Sequence, residues 1–525
     1  MASYPPDLLD MVKVFRALLL AGSIWPCASV AQVWAEIALP APGEVSANGS
    51  FGAALDLSGD WLLVGAPGTD DEGAGSGAAY LYNRYEGGEN AWGLVKKLVP
   101  PSGYAGAAFG SAVSVVGDRA FISAPGEPWS TLPVGAVHVF ERDEGGNGNW
   151  GHRQRIVPDT VQAGMEFGAS FTISDDLLIV LSPRFDEQMG DQQFDGVGAA
   201  LAFVAGEDGL FIERRFIRAD SIVTPCPVRP CTGKSVGIYD GAVFFAGRNG
   251  MFYVGTGVFL DEEAGPIASS PLLLSDDFGI PPDPLQFTGI AATDDLLLVC
   301  LRSVDNIYPR IVSFLPENGA GPIQEGVMRP DTANYLDWWE AGGWGKALDI
   351  DGDLVAVAAY GHPMFTPLGH ADVYERDELT LAHWSHRARL VPSDPATGDL
   401  FGESVSVASG MVAVGAPGSG ADDVGKVYLF SDPTAGIVER HGEQAFLVQP
   451  NPVPSGADAL RVVASGLHFP GETAIVAQDG RIVRQLQLSN DLLPIHGLST
   501  GAYTITFRSI DQRVPMRSAR FIILP

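Results

Sequence analysis

The stretch Phe51 to Pro67, FGAALDLSGDWLLVGAP, sets the plan of this 525-residue chain, because its frame returns six more times before residue 420. Phe109-Gly110 opens FGSAVSVVGDRAFISAP, Phe167-Gly168 opens FGASFTISDDLLIVLSP and Phe401-Gly402 opens FGESVSVASGMVAVGAP. Three worn copies lie between, TGKSVGIYDGAVFFAG from Thr232, FTGIAATDDLLLVCL from Phe287 and WGKALDIDGDLVAVAA from Trp344. The start points are separated by 58, 58, 65, 55, 57 and 57 residues. A near-constant period means a repeat architecture, in which each unit buries its apolar face against its neighbours.

Each copy holds two short runs of small and β-branched residues around a Gly-Asp, Asp-Asp or Ser-Gly pair, which reads as a tight hairpin. A third run follows, led by glycine in Gly77 to Tyr82, Gly135 to Phe140, Gly198 to Val204, Gly369 to Tyr374 and Gly425 to Phe430. A fourth opens on tryptophan and ends on proline: Trp92 to Pro100, Trp150 to Pro158 and Trp384 to Pro392. Four strands per copy, seven times, predict a β-propeller.

Register predicts how the ring closes. Trp92, Trp150 and Trp384 each precede the next Phe-Gly by 17 residues, and Trp34 precedes Phe51 by the same 17. Trp34 to Leu39 is therefore a fourth-type strand with no copy before it, while the last copy stops after its third strand at Phe430. Pairing the two completes the last blade and leaves no open sheet edge between last and first.

Phe-Gly followed by Gly-Ala-Pro resembles the FG-GAP repeat, the blade of the integrin α-chain propeller and of many bacterial surface proteins. The resemblance covers residues 34 to 430. It implies an all-β fold, a seven-bladed FG-GAP β-propeller, and a binding role outside the cell.

The ends have other compositions. Lys13 and Arg16, the apolar Ala17 to Trp25, and Ser29-Val30-Ala31 have the order of a secretory signal, read here as residues 1–31, with Met11 as the alternative start. No second long apolar segment offers a transmembrane anchor. Cys226 and Cys231, in an exported chain, read as a local disulfide, and Cys300 as a buried thiol. After the propeller at 32–430 and a linker at 431–444, the runs in 445–525 read as a small C-terminal β-sandwich. Its Pro450-Asn451-Pro452, Asp479 to Val483 and Gly497 to Tyr503 resemble the C-terminal sorting domain of the type IX secretion system of Bacteroidetes. That resemblance implies export through the type IX machinery and a secreted or outer-membrane cell-surface location.

The formal charge is −31. Residues 1–31 balance and 443–525 carry seven arginines against six acids, so 32–442 holds −32. Such a surface repels nucleic acid and suits a soluble exported protein, expected as a monomer.

No catalytic constellation is evident. Gly233-Lys234-Ser235-Val236-Gly237 fits both G-x-S-x-G and the end of a phosphate loop, but it aligns with the ordinary frame and lacks a strand-turn-helix context. His383 and His386 lack further zinc ligands, His362 and His370 read as loop residues, and no paired carboxylates stand out. No cofactor is implied: the first hairpin is too short to wrap calcium, even at Asp349, Asp351 and Asp353, which alternation places on one face. Acids also gather after the Gly-Ala-Pro element, where Asp70, Asp71, Asp422 and Asp423 are the candidates for calcium against the commoner reading of a solvated acidic loop. A ligand face has more behind it. The long loops between second and third strands and between copies share one face and carry Trp129, Phe194, Trp338, Trp339 and Phe365. The expectation is a non-catalytic binding or adhesion protein for an extracellular protein or glycan, the alternative an exported hydrolase or lyase using the channel.

Overall fold

The structure, a computed structural model, describes residues 34–189, 192–194, 198–218, 232–239, 242–247, 250–255, 270–271, 285–293, 296–303, 310–315, 323–328, 344–360, 368–376, 384–432, 447–449, 459–463, 471–477, 482–488, 492–496, 498, 501–509 and 517–523. The signal at 1–31, nearly all of the linker, Cys226, Cys231, Trp338, Trp339 and Phe365 lie outside the described residues.

The described chain is all-β, in a propeller-like arrangement of four-stranded antiparallel sheets. Each copy of the frame supplies an innermost strand: Ala54–Ser58, Val113–Val116, Ser170–Ser174, Thr232–Tyr239, Leu285–Thr293, Trp344–Asp351 and Ser404–Ala408. The next three strands add outward in chain order. The two-residue turns after the innermost strands take positive φ at their first residue, Gly59, Gly117, Asp175, Gly352 or Ser409, as two-residue hairpins require. The fourth copy ends on a strand of only two residues, Ser270–Pro271.

The sheet of the last copy is the exception to chain order. Its strands Ser404–Ala408, Met411–Ala416 and Lys426–Ser431 are completed by Ala35–Pro40, with Glu36 opposite Phe430 and Leu39 opposite Val427. The closure expected from the tryptophan register is thus the observed pairing, with the strand one residue further along the chain than Trp34 to Leu39. Innermost strands pack on one another in sequence except the second on the third, Ser404–Ala408 on Ala54–Ser58 among them; the second and third sheets meet instead where Phe121 packs with Leu178 and Val180.

Two interactions explain the frame. Within a sheet, the Phe of Phe-Gly is wholly buried and meets two third-strand rings edge to face, as Phe51 with Tyr80 and Tyr82 at 5.6 and 6.2 Å. Phe109 does so with His138 and Phe140, and Phe401 with Tyr428 and Phe430. Each such ring pair adds about 0.5–1.5 kcal/mol beyond area burial. Between sheets, the Gly of Gly-Ala-Pro makes the joint. A methyl on Gly65 would run into the carbonyl oxygen of Gly110, and one on Gly415 into that of Gly52. The glycine leading each third strand is fixed likewise: a methyl on Gly77, Gly135 or Gly425 would strike the carbonyl of Phe109, Phe167 or Phe51. Phe109 N donates to Ser76 O at 3.0 Å, and Phe51 N to Val424 O at 2.9 Å. The joint from last to first sheet therefore repeats the joint from first to second.

Beyond Asp432 the described strands form two further sheets, one of Leu447–Gln449, Ala459–Val463 and Leu492–Pro494, the other of Gly471–Ala477, Ile482–Leu488, Gly501–Ser509 and Arg517–Ile523.

The two equivalent joints give a test. Gly65→Ala and Gly415→Ala should each lower unfolding free energy by about 3 kcal/mol or more, as backbone must move at each. Gly59→Ala, with φ +57 and open space around it, should lose only about 1–2 kcal/mol. Denaturant midpoints decide; a Gly415→Ala loss no larger than that of Gly59→Ala would mean the closing joint differs from the others.

Candidate functional site

Two regions gather polar chemistry, the long-loop face and the wall of the central cavity. On the loop face, the segment between second and third strands of the second copy folds into a small hairpin, Pro128–Trp129 against Leu132–Pro133. Trp129 and Leu132 pair at its tip and are 45% and 42% exposed. The third copy carries a similar hairpin, Glu187–Met189 against Gln192–Phe194.

Beneath Trp129 lies a buried polar network. Arg155 sits 5.2 Å from the indole centroid, donates through Nη2 to Pro128 O at 2.9 Å and through Nε to Glu127 Oε1 at 2.5 Å. His138 Nε2 pairs with Glu127 Oε2 at 2.7 Å, and its Nδ1 with His152 Nε2 at 3.0 Å. Burial opposes the Glu127 charge, but hydrogen bonds and positive charge from His138 and Arg155 prevail and hold its carboxyl below the ordinary value. Burial first, and the neighbouring His138 second, push His152 down to about 4. His152 is therefore neutral near pH 7 and orients His138 rather than adding charge.

The sixth copy holds the same positions with acid and imidazole exchanged. Asp372, three residues after Gly369 as His138 is after Gly135, is wholly buried. It accepts from His386 Nε2 at 3.0 Å, Arg389 Nε at 2.9 Å and Trp344 Nε1 at 3.2 Å. Despite burial, the hydrogen bonds from His370, His386 and Arg389 hold it well below the carboxylate range. His370 corrects an expectation: it opens the strand His370–Arg376 and is buried there, not in a loop. Gly369 before it marks a third-strand start as in the other copies.

The acidic candidates are drawn into local structure. Asp70 Oδ1 accepts from Gly75 N at 2.8 Å and Asp71 Oδ1 from Lys97 Nζ at 2.6 Å. Asp422 and Asp423 are exposed, and their carbonyls accept from Asn48 N and Ser50 N at 2.6 and 3.2 Å, tying the last copy to the first. Among the described residues no group of three His, Cys, Asp or Glu side chains is placed to hold a metal ion.

The central cavity holds what sequence reading missed. One residue from each innermost strand stands at the same register, opposite the third residue of its partner strand: Asp56, Ser114, Thr172, Gly237, Ala291, Asp349 and Ser406. All are short, because the innermost strands crowd the axis. Asp56 Oδ2 accepts from Val115 N at 2.7 Å, Ser406 Oγ from Leu57 N at 3.0 Å, and Asp349 Oδ2 from Val407 N at 2.8 Å, each donor on the next sheet round. Asp351 repeats the pattern with Ser409 N at 2.6 Å. Ser406 Oγ also lies 2.7 Å from Asp349 Oδ2 and 3.5 Å from Asp56 Oδ1, so two carboxylates 293 positions apart share one hydroxyl. Burial raises Asp56, and burial first with the Asp56 charge second pushes Asp349 up to about 7.

Residues 34–82, 92–140 and 384–430 match the FG-GAP repeat family. Each matched stretch begins on a fourth-strand tryptophan, so the family's unit runs from one sheet's outer strand through three strands of the next. The chain carries FG-GAP repeats in a β-propeller arrangement. No curated protein matches it. Similar solved structures include Hsv2 of Kluyveromyces lactis, with 10% identity, 72% of this chain and 97% of that chain covered, and TM-score 0.36. The extracellular domain of the hybrid two-component system BT3049 of B. thetaiotaomicron has 10% identity, covers 92% and 57%, and scores 0.34. PorZ, a surface component of the type IX secretion system of Porphyromonas gingivalis, has 11% identity, covers 90% and 70%, and scores 0.22. No helix of the described residues is long and apolar enough to cross a membrane.

The raised Asp349 gives a pH signature. The folded chain keeps a proton to about pH 7 that an unfolded Asp releases near pH 4, so this residue's contribution to stability falls as pH rises from about 4 to 7 and stays low above. Asp349→Asn should therefore melt above wild type at about pH 8 and lose that advantage by about pH 4. Thermal melts across that range check it; a constant difference at every pH would contradict the assignment.

Proposed function

We propose that this chain is a secreted or cell-surface, non-catalytic binding protein: a closed seven-bladed FG-GAP propeller that recognises an extracellular protein or glycan through its long-loop face, followed by a small β-sandwich that addresses it to type IX secretion. The observation behind the recognition surface is the Trp129–Leu132 tip. An exposed indole is fixed from beneath by Arg155, which is itself anchored on buried Glu127. Such a tip presents large contact area with little side-chain entropy left to lose on binding. The alternative, an exported hydrolase or lyase, has the Asp56–Asp349 pair behind it, yet both carboxylates accept backbone N–H groups of the next sheet, which is a structural use.

Glycan and protein arrays probed with the full secreted chain should yield a ligand, and Trp129→Ala should weaken its capture by at least about tenfold, about 1.4 kcal/mol, with an unchanged melting temperature. Undiminished capture would move the site elsewhere, and cleavage of the arrayed material would favour the hydrolase. Deleting 443–525 in a host with type IX secretion should leave a folded propeller in the periplasm. Normal release of the truncated chain would make the tail an adhesive module instead.

A further inference from the structure

His152 shares a face with His138 because of one extra residue. His138 stands opposite Arg155 across the ladder of Ala136–Arg142 and Trp150–Ile156, and the register then slips so that Phe140 stands opposite His152, with Arg153 bulged between. In an unbroken strand, alternation would send positions 152 and 155 to opposite faces. The slip brings both to His138. It recurs in the sixth copy, where Val373 stands opposite Ala388 and Tyr374 opposite His386. There His386 Nε2 meets a carboxylate, that of Asp372, at 3.0 Å. In the second copy the matching His152 meets an imidazole instead.

That difference sets the response to acid. His138 Nδ1 and His152 Nε2, 3.0 Å apart, hold one proton between them, one ring donating and the other accepting. A second proton leaves two N–H groups and two positive charges face to face, which breaks the contact. The same proton on His386 leaves a bond to Asp372, because a carboxylate accepts from imidazolium as well. His138 is buried and cannot turn aside, its Nε2 tied to Glu127 Oε2 at 2.7 Å. Charge around the pair is already one-sided. Among the described residues Glu127 is the one carboxylate bonded to His138, His152 or Arg155. Lys96 approaches from the first sheet and donates to Asn149 Oδ1 at 2.5 Å and Trp150 O at 2.7 Å. A proton on Glu127 removes the counter-charge of Arg155 and His138 together.

We propose that this network is an acid-released latch on the loop face: protons taken up by His152 and Glu127 break the contact with His138, free Arg155 from its carboxylate and loosen the Trp129–Leu132 tip within a ring that stays folded. The use of the latch rests on the loop-face reading; its opening does not, since it is read without any ligand. Burial and the neighbouring His138 hold His152 at about 4, below the ordinary 6.5. The unfolded chain therefore takes up this proton first, and the residue's contribution to stability is lost as pH falls from 6.5 to about 4. Glu127, also held below its ordinary value, adds its own loss as pH falls through its folded value.

Fluorine NMR of the full secreted chain labelled with fluorotryptophan tests this, the Trp129 resonance being identified by its loss in Trp129→Phe. It should be broad near neutrality and move to a narrow, solvent-like position with a midpoint at about pH 4, while the other tryptophan resonances keep their folded positions. His152→Gln, whose amide keeps an N–H toward His138 but takes up no proton, should move that midpoint to lower pH. His386→Gln should leave it where it is. Glu127→Gln should show the narrow resonance already near neutrality. A Trp129 resonance that does not change through about pH 4, or a His152→Gln midpoint equal to that of wild type, would overturn the proposal. So would collapse of all the tryptophan resonances at the same midpoint, because the tip would then be released only by unfolding of the ring.

Discussion

Everything in the propeller hangs on backbone approaching backbone closer than a methyl group allows. Gly65 against the carbonyl of Gly110, and Gly415 against that of Gly52, let successive sheets wedge together at the axis, while Gly77 and Gly425 admit the Phe carbonyl of the next copy at the loop face. The recurring letters of the frame are thus two halves of one joint, contributed by neighbours. Where a copy is worn, the joint adapts: at the fifth-to-sixth contact, Cys300 stands in the Gly-Ala-Pro position, and its sulfur packs where a methyl on Gly345 would go. A buried thiol there is soft filler between sheets.

The same crowding at the axis dictates the cavity's chemistry. Only short side chains fit the common register, and an acceptor among them can take the edge N–H of the next innermost strand. Serine does this neutrally at Ser406, and aspartate does it with a charge at Asp56 and Asp349. One aspartate would titrate much as burial dictates; two astride a single serine repel, which is why Asp349 responds to Asp56 as well as to burial. The ring joint from last copy to first is where this pair meets, so closure and the charge in the cavity are physically one arrangement.

Much of the fold was legible because it repeats. A 17-residue step from tryptophan to Phe-Gly located the closing strand, and the observed Ala35–Pro40 lies one residue from the expected span. The site was harder. Asp56 and Asp349 each stand five residues after the aromatic that opens their frame, but they become neighbours only once the ring closes and sets the last copy between them. No local window contains that relation. Asp71 stood as a calcium candidate or a solvated loop acid because its partner Lys97 arrives on the outer strand, 26 residues on. Trp129 was legible as exposed from its place in a long loop; the Arg155 beneath it was not.

The third-strand position under the opening aromatic separates one copy from another. In the first and last copies it is Tyr80 and Tyr428, each with a lysine, Lys97 or Lys426, over its ring at 5.6 and 5.5 Å. In the second and sixth it is His138 and Asp372, each joined to an arginine network rising toward the loops. A tyrosine there leaves the loop above to its own turns, as the Asp70–Gly75 contact does in the first copy. A charged network must be satisfied, and Glu127 and Pro128 O do so in the second copy by bending the loop down over Arg155, which lifts Trp129 into solvent. The exposed indole is in this sense the far end of a core substitution, since a buried histidine beneath Phe109 fixes the acid, the acid fixes the arginine, and the arginine holds the ring.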